Sequence, residues 1–66
     1  MKTLKATKDI TVIEHGTGKE LGSAREDEVL KVLHEGIFFD LLENENGSRW
    51  EVPKSRLEFY GLVDNA

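Results

Sequence analysis

Residues 23–36 read Ser23-Ala24-Arg25-Glu26-Asp27-Glu28-Val29-Leu30-Lys31-Val32-Leu33-His34-Glu35-Gly36, and the fold turns on whether they form a helix or a strand. The helical reading is well supplied. Ser23 and Glu26 have the spacing of a capping box, and Glu26, Asp27 and Glu28 would sit against the positive end of the helix dipole. Val29, Leu30, Val32 and Leu33 share one helical face, and Gly36 suits a C-cap. The strand reading needs only residues 29–33, where Leu30 and Val32 face one way and Lys31 the other. In segments this short, tertiary context overrides propensity. Taken alone, the segment leaves two architectures open: an all-β barrel, or an α+β domain with a helix at about 24–35 packed on an antiparallel sheet.

The flanking chain reads as β structure. Ile10-Thr11-Val12-Ile13 is a β-branched run, and residues 2–6 alternate loosely enough for an edge strand. Between Ile13 and Ser23 lies a turn-rich loop containing Gly16, Gly18 and Gly22. Residues 37–43 form an apolar run and residues 48–52 a shorter one. Asn46-Gly47 between them is the strongest short-range hairpin signal in the chain. Pro53 cannot donate to a ladder, and Lys54-Ser55-Arg56 suits a short turn before residues 57–60. The tail at 62–66 is expected to fray.

Sixty-six residues allow one small domain, and 38% apolar content is enough for one core. Without cysteine there is neither a disulfide nor a thiolate zinc site, as suits a reducing compartment. The longest uninterrupted apolar run is Ile37-Phe38-Phe39, so no membrane span is expected; nor is a secretory signal, since no apolar segment follows Lys5. The net charge of −4 hides a gradient: residues 1–19 carry +2, residues 20–45 carry −6, and the remainder balances. Nucleic-acid binders cluster Lys and Arg to replace counterions at phosphates. Here the dominant cluster is acidic, which argues against nucleic acid and leaves two readings, a solvated face or a surface that meets a basic partner.

Catalytic patterns are absent. His15 and His34 have no further ligands at metal-binding spacing. Gly16-Thr17-Gly18-Lys19 has neither the leading glycine nor the Ser or Thr after Lys that a phosphate loop requires. Paired carboxylates need a cleft that shifts their acidity, and a domain of this size has little room for one. No cofactor is expected.

Read as a series, the segments between Ala6 and Tyr60 resemble a Src-homology-3-like barrel, particularly the bacterial branch of that superfamily. Ala6-Thr7-Lys8-Asp9-Ile10-Thr11-Val12 is similar to the first strand, and residues 16–22 stand where such proteins carry a long variable loop. Asp27-Glu28-Val29-Leu30-Lys31-Val32-Leu33-His34-Glu35 looks like the acidic diverging turn and second strand. Gly36-Ile37-Phe38-Phe39-Asp40-Leu41 resembles the third strand, Asn46-Gly47 the distal hairpin, and Val52-Pro53-Lys54-Ser55-Arg56-Leu57-Glu58 the turn into the last strand. The resemblance implies a small five-stranded all-β barrel whose core holds Leu30, Val32, Leu41, Val52 and Leu57, joined by Ile10 or Val12. Residues 29–34 are then a strand.

Peptide-binding members build a groove for proline-rich segments from an aromatic on the third strand, the Pro of the final turn and neighbouring tyrosines. The matching positions here are Phe38, Pro53 and Arg56. Phe38 replaces a Trp and Arg56 a Tyr, and Ile10-Thr11-Val12-Ile13 replaces the tyrosine-rich motif of the first strand, so polyproline recognition is not expected. A groove using Phe38, Arg56 and the 16–22 loop remains available for another ligand. The resulting expectation is a non-enzymatic interaction module that docks on a protein partner in the cytoplasm. Its expected contacts are Phe38, Trp50, Pro53, Arg56 and Tyr60, with Glu26, Asp27 and Glu28 steering a basic partner. One residue of each pair Phe38/Phe39 and Phe59/Tyr60 is expected to be exposed. Two other readings stand beside it: a cell-wall-peptide binding module, and a small regulator or inhibitor from a mobile element.

Overall fold

A computed structural model describes residues 1–65 and resolves the ambiguity in favour of β structure. Seven strands follow one another: β1 (Thr3–Ala6), β2 (Ile10–Ile13), β3 (Glu20–Ala24), β4 (Val29–Glu35), β5 (Phe39–Glu43), β6 (Arg49–Pro53) and β7 (Leu62–Asp64), with a 3-10 turn at Lys54–Arg56. Five form an antiparallel sheet in the order β6-β5-β4-β1-β7, curled into a half-barrel, and β2 and β3 form a separate hairpin. The chain is therefore all-β, as the barrel reading requires. The five-stranded sheet is supplemented by two further strands.

Residues 29–35 become a strand because partners lie on both sides. β1 pairs with β4 at Leu4↔Leu30, and β5 at Val32↔Leu42. Leu30 and Val32 turn inward while Val29 and Lys31 face solvent. A register shift between Val32 and His34 leaves Leu33 half-buried at a bulge. The acids that would begin a helix instead make the turn before β4: Glu28 N–H donates to Arg25 C=O at 3.0 Å, and Asp27 adopts φ +70°.

The turns on either side of the core are tied together by two polar side chains. Glu28, only 9% exposed, accepts the backbone N–H of Arg25 on Oε1 and that of Glu45 on Oε2, both at 2.9 Å. Asn44 is buried at the head of the Asn46-Gly47 hairpin. Its Oδ1 accepts the N–H of Asn46 and of Ser48, and its Nδ2 donates to Ser23 C=O. Gly47 at φ +85° supplies the left-handed residue this turn requires.

Leu4, Ala6, Ile10, Val12, Ala24, Leu30, Val32, Leu42, Trp50, Val52 and Leu62 form the core. Both Ile10 and Val12 belong to it. Two expected core residues do not: Leu41 and Leu57 are half-buried. On β5 the inward residues are Asp40 and Leu42, both fully buried, so Leu41 falls on the outer face. Leu57 packs against the core from its rim. Two expectations about the ends are also corrected. Residues 2–6 do not form an edge, because β1 lies between β4 and β7. The tail from Leu62 pairs with β1 at Ala6↔Leu62, Lys5↔Val63 and Leu4↔Asp64 rather than fraying, and Leu62 is buried; Ala66 lies outside the described residues.

Candidate functional site

The sheet and the β2–β3 hairpin leave a groove of about 780 Å³ between them. One wall comes from the hairpin. Ile13 closes β2 opposite Glu20, Leu21 sits at the register shift on β3, and Glu14, His15, Gly16 and Gly18 continue into the connecting loop. That loop is held by its own hydrogen bonds: Glu14 N–H to Lys19 C=O at 2.7 Å, Gly18 N–H to Glu14 C=O at 3.1 Å, and Thr17 Oγ1 to Glu14 Oε1 at 2.7 Å. The opposite wall carries Phe39, Glu51, Pro53, Arg56 and Tyr60. Its elements are the outer face of β5 and β6 and the 3-10 turn that follows them. Phe39 and Pro53 face each other in register, and Lys54 N–H donates to Phe38 C=O at 2.8 Å, so the turn leaves the sheet at a fixed point.

Most of the lining is apolar or aromatic, with Glu14, Glu51 and Arg56 as its charged groups. Ile13 is 54% exposed and Phe39 48%, large values for such side chains. Tyr60 is braced by Phe59 in an edge-to-face contact with ring centroids 5.4 Å apart, while Phe59 itself stands in solvent. Among the described residues Arg56 has no carboxylate within ion-pair distance, which leaves its guanidinium free for a ligand's acceptor.

Of the residues singled out from the sequence, the structure brings Pro53, Arg56 and Tyr60 to this groove, together with part of the 16–22 loop. Phe38 stands beside it, 74% exposed, while its neighbour Phe39 lines it; both members of that pair are exposed. Trp50 is corrected from contact to core: it is 4% exposed and its ring lies on Gly22, where any Cβ would overlap the indole. Glu28 is corrected from steering group to internal anchor, since both its oxygens are occupied by backbone donors. Glu26 and Asp27 are exposed on the β3–β4 turn and do not line the groove; Asp27 lies 3.5 Å from Lys5. Ile13, Phe39 and Glu51 also line the groove and were not among the expected contacts, while Leu21 arrives with the 16–22 loop. Strand alternation could have supplied Phe39 and Glu51, given one correct inward residue on β5 and one on β6.

A second hollow of about 530 Å³ lies between the β3–β4 turn and the β5–β6 hairpin, lined by Asp9, Arg25, Glu28, Glu45 and Asn46 among others. Its central carboxylate is the Glu28 already held by two N–H groups. Among the described residues no three His, Cys, Asp or Glu side chains converge in a way that could hold a metal, and no helix is long and apolar enough to cross a membrane. Comparison with protein-family models, with curated proteins and with solved structures finds no match to this chain.

Proposed function

We propose that the chain is a Src-homology-3-like barrel of the bacterial branch, working as a non-enzymatic docking module inside the cell, and that its groove takes an extended segment of a protein partner. The observation that carries this reading is the groove itself: exposed Ile13, Leu21 and Phe39 beside half-buried Pro53 and Tyr60, with Arg56 among them and no ion-pair partner for it among the described residues. Aromatic residues and Arg are the side chains enriched where interfaces gain most of their energy. Support comes from the strand at Val29–Glu35, the Asn46-Gly47 turn and the 3-10 turn at Lys54–Arg56, which stand where the resemblance expects them, whereas Ala6–Val12, expected as the first strand, spans the end of β1 and the start of β2. The groove's own Glu14 and Glu51 favour a partner with basic residues flanking its apolar ones.

The test is an NMR screen of the ¹⁵N-labelled protein against pooled peptides of varied sequence, with the Phe39→Ser and Arg56→Ala variants as controls. Binding pools are expected to move the amides of Ile13, Leu21, Phe39 and Tyr60 and to lose that effect in both variants. Shifts confined to other surfaces, or no shifts from any pool, would overturn the reading. Sedimentation with purified peptidoglycan separates it from the cell-wall alternative, because the docking module is expected to stay in the supernatant.

A further inference from the structure

The side chain of Asp40 is fully buried on the core face of β5, on the same side as Leu42 and paired across to Val52 on β6. Its Oδ1 accepts Lys54 Nζ at 2.6 Å, while Oδ2 has no partner. A half-satisfied buried carboxylate is a poor way to stabilise a core. Well-packed apolar residues in place of such a pair often serve as well or better, so its presence asks for another reason.

That reason lies in the turn which Lys54 begins. The segment Lys54–Arg56 buries no side chain and has no side-chain cap, and its closing bond, from Leu57 N–H to Lys54 C=O, is long at 3.4 Å. The bond from Lys54 N–H to Phe38 C=O fixes where the turn begins, but beyond that point such a turn is weakly fixed by its own hydrogen bonding. Yet it carries Arg56, and through the bond from Tyr60 N–H to Arg56 C=O it also places Tyr60, so it forms one end of the groove wall. The side chain of Lys54 links this turn to the interior of the sheet by a short charge-assisted bond, with Glu35 Oε1 3.9 Å from the same nitrogen on the solvent side.

We propose that Asp40 and Lys54 are positioning residues for the groove: the buried pair fixes the 3-10 turn against β5 and thereby sets where Arg56 and Tyr60 stand. The inference takes its meaning from the groove being the binding site. Its test reads the turn directly and needs no ligand, so it holds or fails separately from the docking reading.

The experiment compares amide hydrogen exchange in the wild type, Lys54→Arg, and the double variant Asp40→Val/Lys54→Met, which removes both charges together. The double variant is expected to keep a cooperative melt while the amides of Leu57 and Tyr60 exchange at least about tenfold faster relative to that of Leu42. Lys54→Arg, which keeps the charge and a donor, is expected to restore slow exchange at both positions. A uniform rise across Leu42, Leu57 and Tyr60 would assign the pair to general stability and overturn the proposal, as would no change at Leu57 and Tyr60. Should the double variant not fold, Lys54→Gln retains a donor without the charge. The same local rise at Leu57 and Tyr60 is expected there, and its absence, or a uniform rise, has the same overturning force.

Discussion

Glu28→Gln tests whether one carboxylate ties two turns of the barrel together. In the native chain both oxygens of Glu28 accept backbone N–H groups at 2.9 Å, one from Arg25 beside β3 and one from Glu45 beyond β5. Glutamine keeps one acceptor and turns an NH₂ group toward the other N–H. One charge-assisted bond is lost and a largely buried donor is left without a partner, a change of about 2–3 kcal/mol. The whole domain, at roughly 0.05–0.15 kcal/mol per residue, has only about 3–10 kcal/mol to lose. For a domain this small the expected fall in melting temperature is about 10–20 °C. Glu28→Ala removes both acceptors and is expected to bring the chain to the edge of unfolding at room temperature. Urea titration followed through the fluorescence of the buried Trp50 is the assay, with the m-value expected to stay constant while the midpoint falls. An unchanged midpoint in Glu28→Gln would refute the anchoring argument and return Glu28 to the role of a surface charge.

Three further outcomes follow from the same contacts. Gly22→Ala drives a methyl group into the Trp50 indole and is expected to cost about 1–3 kcal/mol by overpacking, measured by urea denaturation. Phe38→Ser, at a position 74% exposed, is expected to change stability by less than about 0.5 kcal/mol while weakening partner binding, and a thermal melt beside a binding assay checks both. The Glu35 carboxyl is held below its usual range mainly by the hydrogen bond from Lys2 Nζ at 2.8 Å, and the same bond raises Lys2. The contribution of Glu35 is therefore present above the ordinary Glu range and lost as pH falls through the depressed folded value. Melting curves of wild type and Glu35→Gln are expected to differ at neutral pH and to converge in acid.

How much of this was legible in the sequence depends on how local each signal is. Asn46-Gly47 needs only its own backbone preferences and flanking strands to specify a hairpin, and the turn is found there. Residues 29–33 satisfy two periodicities at once; what selects the strand is pairing with β1 and β5, information held 10 to 28 residues away. The facing of β5 was hidden by Asp40. A carboxylate reads as solvent-exposed, which turns Leu41 inward, and only Lys54, 14 residues further on, lets Asp40 enter the core and Leu42 with it. The groove inherited that difficulty, because Phe39 shares a face with Leu41. Polar Asp64 and Asn65 likewise read as tail, while the unpaired side of β1 was waiting for a strand.

The pairing of β1 with β7 has a further consequence for assembly. Asn65 N–H donates to Thr3 C=O, closing a loop of 62 residues, whereas Asn44 N–H reaches Ser48 C=O across a single turn. Chain closure over the longer span costs about 2 kcal/mol more in entropy than over the shorter one. That cost belongs to the path of the chain and not to the sheet. A circular permutant that joins residues 65 and 2 through a short linker and opens at Gly47 would present β7 and β1 as a hairpin and β5 and β6 as the distant pair. The same native sheet would then assemble in a different sequence of steps.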